Sequence, residues 1–487
     1  MVENHIGDQR RVIFSFLLFV LSIYLNFAGF GSLLCLQTSI NIEDGVGAAS
    51  STAAYATSTI LGLVLTPLLL LKFETKYVLV GCSITYLLYV LANYFPEAYV
   101  LIPVGILMGI GEATMWPVMF VYVVHYAKQF ASFGTKDTAA VITRFTGYFF
   151  FAYQLSETTG NLLSYAILYA GKTITVNEGN STVNSAVDLS VCGANDCQYP
   201  NVTNANLNQY VPQSKSVLYA MIGVMAFLIL LALGIMLCLV PKISLENHDN
   251  ELELCPTESN LISNNSEKDV NKPKESNLQF TKRTLKAAMK QLLDPRQLLI
   301  TPITLYSGLY MSFMFAEMPR AYSSCMLGVT QSGLCLAISH TCSAITSHFG
   351  CKLASKIGRT ILLIAAFFID IGIYAFLLFW VPASSTTWLV YVIFAVVGSM
   401  DGVWQPQSNE IHTAHFPENH MAFVIWSLWT TLGIAIQYGW STSLCVYVKI
   451  YIQIGLLCFS MLCYGIAEFR IRKVRRRTHE TSSQITI

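Results

Sequence analysis

The sequence predicts an all-α polytopic membrane protein, a twelve-helix bundle of two six-helix pseudo-repeats. Three observations predict it. Charge is sparse: Asp, Glu, Lys and Arg make up 12% of 487 residues, against 54% hydrophobic, about half the charged share of a soluble domain. The apolar residues fall into about twelve blocks, each near the roughly twenty residues an α-helix needs to cross about 30 Å of hydrocarbon. Those blocks lie six and six around one charged, polar stretch from Pro241 to Arg296.

The blocks fall near 12–36, 48–71, 77–95, 99–125, 141–170 and 216–240, then 297–323, 330–350, 360–381, 387–411, 419–443 and 446–467. Lipid offers no partner for free backbone groups, so each is expected to be helical. The first block, Val12 to Leu36, is too long for a cleaved signal and lacks an Ala-x-Ala-like end, so it stays as the first span. The expected layout is an N-terminal half at 1–240, a charged linker at 241–296, a C-terminal half at 297–467 and a basic tail at 468–487.

Charge sets the expected orientation. With both termini in the cytosol, the inner side holds Arg10, Arg11, Lys72, Lys76, Lys128, Lys136, the linker lysines, Lys352, Lys356, Arg359 and the tail. The outer side keeps only Lys172, Lys215, Lys449 and Arg320, an asymmetry that obeys the positive-inside rule. A net charge of +1 gives no global signal for nucleic acid.

The longest outer loop, 171–216, carries two glycosylation acceptors, Asn180-Ser-Thr and Asn201-Val-Thr. Asn264-Asn265-Ser266 is also a sequon, but it lies on the cytosolic side, where topology vetoes it. Cys192 and Cys197 flank Gly-Ala-Asn-Asp in the same outer loop. The expectation is a small disulfide ring closed across that turn, with two free thiols as the alternative. Cys325 and Cys445 form a second candidate pair near the same face. In the linker, Leu285, Met289, Leu292 and Leu293 share one helical face opposite Arg283, Lys286 and Lys290. That pattern fits a helix lying on an anionic leaflet; a solvated linker is the alternative.

The fourth span of each half carries an internal match. Gly109-Ile-Gly-Glu112-Ala-Thr-Met-Trp116-Pro117 and Gly398-Ser-Met-Asp401-Gly-Val-Trp404-Gln405-Pro406 place glycine, acid and proline at one spacing. Such a repeat fits transporter-like halves related by an axis along the membrane normal. A midplane charge costs at least about 2.5–3.5 kcal/mol on insertion scales, so Glu112 and Asp401 are expected to face the bundle interior. Glu157 is a third such acid, and Gln154, Ser156, Asn161, Gln405, Gln407 and Asn409 make the surroundings polar. Proline beside each acid frees backbone carbonyls that suit a cation. The candidate polar site is therefore Glu112, Asp401, Glu157, Trp116, Trp404, Gln405 and Asn409. The structural alternative is that these acids only tie helices together.

His340, His348, His412, His415 and His420 show no metal-ligand spacing and are read as packing or loop residues. Glu317 and Arg320 are read as an i,i+3 pair on a helix surface. No phosphate loop, nucleophile elbow or metalloprotease signature is present, so no enzyme, cofactor or metal site is expected.

Several stretches carry a family likeness. Leu305-Tyr-Ser-Gly308-Leu, Arg320-Ala-Tyr-Ser-Ser-Cys325-Met-Leu-Gly328, Asp401-Gly-Val-Trp404-Gln and Ser443-Leu-Cys445-Val-Tyr-Val-Lys449 resemble the uncoordinated-93 family, most closely its A-type homologues. Leu36-Gln37-Thr-Ser39, Gly45-Val-Gly47, Tyr55, Gly160-Asn161 and Cys192-Gly-Ala-Asn-Asp-Cys197 extend the likeness through the first half. The resemblance implies the major facilitator fold. It also implies one of two roles: regulation of a two-pore-domain potassium channel, as in a nematode relative, or escort of nucleic-acid-sensing receptors out of the endoplasmic reticulum.

The chain also departs from these patterns. Cys351-Lys-Leu-Ala-Ser355-Lys-Ile-Gly358-Arg359 resembles the superfamily's inner-loop signature with Ser355 in place of its acid. Ser427 and Thr430 stand where the A-type pattern carries charge. These losses weigh against transport. The expected function is a non-enzymatic accessory protein of the plasma membrane, regulating a potassium channel or another integral partner. The alternative is a cation- or proton-coupled transporter of small solutes, and endosomal or endoplasmic-reticulum membranes stay open as locations.

Overall fold

The structure is a computed structural model that describes residues 2–133, 138–177, 188–197, 209–210, 214–243, 277–416 and 421–485. Helices dominate it. In the N-terminal half, α1 is Val2–Ile40, α2 Val46–Leu61, α3 Thr75–Ala92, α4 Ala98–Ala131, α5 Thr138–Asn177 and α6 Lys215–Cys238. In the C-terminal half, α7 runs from Pro295 to Ser312, widens into π-helical turns over Phe313–Ser324, and ends at Cys325–Leu327. It is followed by α8 Val329–Ile357, α9 Arg359–Phe379, α10 Leu389–His415, α11 Met421–Gly439 and α12 Val446–Ile485.

Among the described residues, eight helices are long and apolar enough to cross a membrane by length and composition: α1, α3, α4, α6, α7, α9, α10 and α12. The other four meet across the seam between the halves, α2 against α11 and α5 against α8. Seam helices face protein rather than lipid, so α2 and α8 are rich in Ala, Ser, Thr and Gly, which let backbones approach. The second span expected at 48–71 is not one helix. It breaks after Leu61 and resumes at Leu65–Lys72, where proline at position 67 has no N–H to bond back to Leu63.

Asp294 caps α7, its carboxylate accepting from the Arg296 N–H at 2.8 Å. The Arg296 side chain, hydrogen-bonded to it, holds the Asp294 carboxyl below its ordinary range. The linker helix expected from the spacing of Leu285, Met289, Leu292 and Leu293 is present as Asn277–Leu292. Leu285 and Met289 on it are exposed, as are Arg283, Lys286 and Lys290. It touches Leu65–Lys72 and α11, so it reaches both halves.

The halves are joined from mid-bundle toward the end that carries residues 188–197. Thr59 donates to Thr431 at 3.1 Å, and Tyr55 stacks on Tyr438 at 5.9 Å between centroids. Beyond them Thr38 donates to the Ala316 carbonyl at 2.8 Å, and Ser324 to Ser39 at 3.1 Å.

The expected ring between Cys192 and Cys197 is not formed. Cys192 is bonded to Cys325 at the end of α7, and Cys197 to Cys445 just before α12. The reason lies in how the loop is seated. Gly193–Asn195 makes a 3-10 turn, with Gly193 at φ +71°. Asp196 then reaches into the C-terminal half: its carboxylate accepts from Arg320 Nε at 3.1 Å, and its carbonyl accepts from the Val446 N–H at 2.9 Å. Those bonds set each cysteine of the loop against a cysteine of the other half. The acceptors Asn180 and Asn201, and the sequon at Asn264 and Asn265, lie outside the described residues.

Candidate intramembrane polar site

The repeated motif shows its physical purpose once its neighbours are seen. A Cβ at Gly109 of α4 would enter the Ala54 carbonyl of α2, and a Cβ at Gly398 of α10 would enter the Ser339 carbonyl of α8. One turn away, Gly105 and Gly402 press equally on Ser50 and Ser343. The glycines therefore let α4 lie directly on α2 and α10 directly on α8, the same contact in each half. The prolines have matching roles. Each removes the hydrogen bond to the residue four back, and neighbouring hydroxyls satisfy the freed carbonyls. Thr66 donates to the Ala113 carbonyl at 2.9 Å, four residues before Pro117, and Ser347 donates to the Gly402 carbonyl at 3.1 Å, four before Pro406. These carbonyls are committed to protein donors.

The acids are buried, and each is hydrogen-bonded within its own half. Glu112 accepts from Tyr86 Oη of α3 through one carboxylate oxygen and from Trp116 Nε1 at 3.1 Å through the other. Asp401 accepts from Ser343 Oγ of α8 at 2.9 Å and from Gln405 Nε2 at 3.4 Å. Trp404 does not serve Asp401. Its Nε1 donates to Asp370 of α9 at 2.6 Å, and Tyr306 Oη donates to the same oxygen at 2.8 Å. Asp370 is thus a fully buried acid that the sequence reading passed over. The signal was present: a lone Asp between Ile369 and Ile371 in the middle of an apolar span. Asn409 stands two turns past Asp401 on α10, half-buried.

Glu157 of α5 sits apart from these pairs. Its carboxylate fills the space beside Gly31 of α1, where a Cβ would collide with it, and one oxygen has no protein partner. Tyr153, one turn back, lies within electrostatic range of Glu157, Glu112 and Asp401. His340 is not a loop or solitary packing residue: it faces Cys35 of α1 at 4.0 Å and belongs to the Glu157 cluster. His412 bonds Thr304 at 2.7 Å, His415 bonds the Ile411 carbonyl, and His348 lies against Lys352. His420 lies outside the described residues.

A second cluster corrects the surface-pair reading of Glu317 and Arg320. Both are fully buried. Arg320 Nη2 donates to Glu317 at 2.7 Å, Arg320 Nε to Asp196 at 3.1 Å, and Lys449 Nζ to Glu317 at 2.8 Å. Ser441 joins both cations, its carbonyl accepting from Lys449 at 2.8 Å and its hydroxyl from Arg320 at 2.9 Å. Two acids and two bases close a neutral quartet between the 188–197 loop, α7 and α12. The widened turns of α7 hold Glu317 and Arg320, and such π-helical stretches are rare and often functional.

The bundle, its two matching halves and its polar interior invite comparison with known proteins. The family model of the Major Facilitator Superfamily matches residues 209–467. The chain belongs to the Major Facilitator Superfamily. The solved structure of a D-xylose-proton symporter shares the fold with a TM-score of 0.57 and 13% identity, covering 94% of this chain and 96% of that one. The nucleoside transporter NupG does so with a TM-score of 0.55 and 12% identity, covering 92% and 99%. Within the superfamily, the expected likeness to the uncoordinated-93 proteins extends along the chain. Protein unc-93 homolog A of Xenopus laevis is 29% identical over 91% of this chain and 90% of that protein. The Homo sapiens homolog A is 27% identical over 91% and 90%. The Caenorhabditis elegans unc-93, provisionally named a potassium channel regulatory protein, is 24% identical over 95% of this chain and 61% of its own length.

Proposed function

We propose that this chain is a non-enzymatic accessory protein of the plasma membrane that regulates an integral partner, a potassium channel first among the candidates. The observation that carries the reading is the double cross-link between the halves. A facilitator that transports by alternating access must part its halves at one end and then at the other. Here, at the end bearing residues 188–197, the loop between α5 and α6 is tied to the C-terminal half by two disulfides, Cys192 to Cys325 and Cys197 to Cys445, and by the buried Asp196–Arg320 ion pair, and α1 is hydrogen-bonded to α7 through Thr38 and Ser39. Disulfides persist in oxidising compartments, which supports taking this end as the outer one and both termini as cytosolic, the orientation the positive-inside count favours. Ser355 in place of the inner-loop acid, and the commitment of the proline-freed carbonyls to Thr66 and Ser347, point the same way. The partner class comes from the printed name of the nematode relative.

A second reading, a cation- or proton-coupled small-solute transporter, draws on Glu112, Asp401 and Glu157, the last with an unpartnered carboxylate oxygen. One pair of experiments separates the two. Co-expression with two-pore-domain potassium channels is expected to change channel current and to co-purify the pair, while reconstituted vesicles show no solute uptake above empty controls. Saturable uptake that Glu112→Gln and Asp401→Asn abolish, with no effect on any channel tested, would favour the transporter instead.

A further inference from the structure

Cys35 of α1, Glu157 of α5 and His340 of α8 each offer one ligand atom, and all three atoms lie within 4.8 Å of one another. They come from both halves and meet at the seam. Their relative exposures are 1%, 4% and 2%, so none is a surface group that met its neighbours by chance. The Glu157 oxygen that lacks a protein partner is buried, and so is Asn161 Oδ1 one turn along α5. Leaving such oxygens unsatisfied is costly away from water. The surroundings hold the geometry in place: Gly31 makes room for the carboxylate, and Phe315 lies 5.4 Å from the His340 ring.

We propose that Cys35, Glu157 and His340 form a binding site for a zinc-class divalent transition ion, bridging the two halves of the bundle. The donor set is one sulfur, one nitrogen and one oxygen, the mixture that borderline-soft ions accept and that hard magnesium and calcium do not. Tetrahedral zinc with ordinary bond lengths would set sulfur and nitrogen about 3.6 Å apart. The observed Cys35–His340 separation of 4.0 Å requires only a small closure. Charge also fits. A thiolate and a carboxylate cancel a dication, so the filled site is neutral, as a membrane interior demands. With three protein ligands the fourth position is left for water or for Asn161. Because α8 supplies one ligand and α1 and α5 the others, the ion would fasten the seam at mid-bundle.

The test uses the full chain, purified in lipid nanodiscs through a tag without histidine and freed of metal with a chelator. Titration with zinc against a chromophoric zinc indicator is expected to give one ion per chain. Cys35→Ser, Glu157→Gln and His340→Gln are each expected to weaken binding by more than the roughly 10–100-fold that outer-shell changes cost. His348→Gln and His415→Gln are expected to leave it unchanged. Cobalt added to the unmodified chain supplies a readout that needs no variant: a thiolate-to-cobalt charge-transfer band, with Cys35 protected from alkylation. Zinc binding that survives all three substitutions overturns the proposal. So does cobalt binding without the thiolate band.

Discussion

Glu112 and Asp370 show how two buried acids differ in what they require. Tyr86 and Trp116 donate to separate oxygens of Glu112, whereas Tyr306 and Trp404 converge on one oxygen of Asp370. An amide has a single acceptor oxygen. Glu112→Gln must therefore leave Tyr86 or Trp116 without a partner, at a cost of about 1–3 kcal/mol. Asp370→Asn keeps both donors served and places its amide nitrogen where the other oxygen already lacks a partner, so its loss should be the smaller of the two. Thermal unfolding of the two variants in the same detergent measures the difference, and equal losses would refute this account of the acids. Glu112, Glu157 and Asp401 were legible in the sequence as interior charges because hydropathy alone makes a midplane acid conspicuous. Their partners were not. Trp404 lies three residues from Asp401 in sequence yet bonds Asp370, because α10 turns its indole toward α9.

The quartet of Asp196, Glu317, Arg320 and Lys449 belongs to the scale of elements, since a loop and two helices meet in it. Sequence counted Lys449 among the outer-side charges, at the start of the twelfth block, and paired Glu317 with Arg320 on a surface; the contact between Lys449 and Glu317 spans 132 residues and is visible only once α7 and α12 are packed. Removing one charge leaves an uncompensated one in a dry site. Lys449→Met is expected to cost about 3–5 kcal/mol, read as a lowered melting temperature and poorer recovery of monodisperse protein. Glu317→Gln in the same chain restores neutrality, with Arg320 still facing Asp196. The double variant should then be more stable than Lys449→Met alone, a coupling that a double-mutant cycle isolates. Strictly additive losses would mean that the four charges do not act as a unit. The repeated motif was legible at this scale too, but its meaning changed. Spacing suggested that the prolines free carbonyls for a cation, and the neighbouring Thr66 and Ser347 hydroxyls take those carbonyls instead.

For the whole molecule, six-plus-six organisation was legible in the apolar blocks, because lipid imposes length and apolarity on the helices that face it, although four helices at the seam, α2, α5, α8 and α11, fall short of that standard among the described residues. What joins the halves was not, since disulfide partners depend on which helix ends meet. Cys192 and Cys197, five residues apart, find partners 133 and 248 residues away. The loop that holds them is also where sugar is expected: a glycosidase-sensitive mass shift should vanish when Asn180 and Asn201 are both changed to Gln, and persist when Asn264 and Asn265 are changed.

The cross-links make a sharper prediction. With a protease site inserted in the 241–296 linker and the chain cut in native membranes, the two halves should still migrate as one species on a denaturing gel without reductant, and separate with it. Cys192→Ser alone should leave them joined through Cys197 and Cys445. Cys192→Ser with Cys197→Ser should release them without any reductant. A ring closed between Cys192 and Cys197 predicts the opposite result for the unmodified chain: two separate halves on the non-reducing gel. That outcome would remove the covalent latch on which the accessory reading rests and return alternating access to consideration.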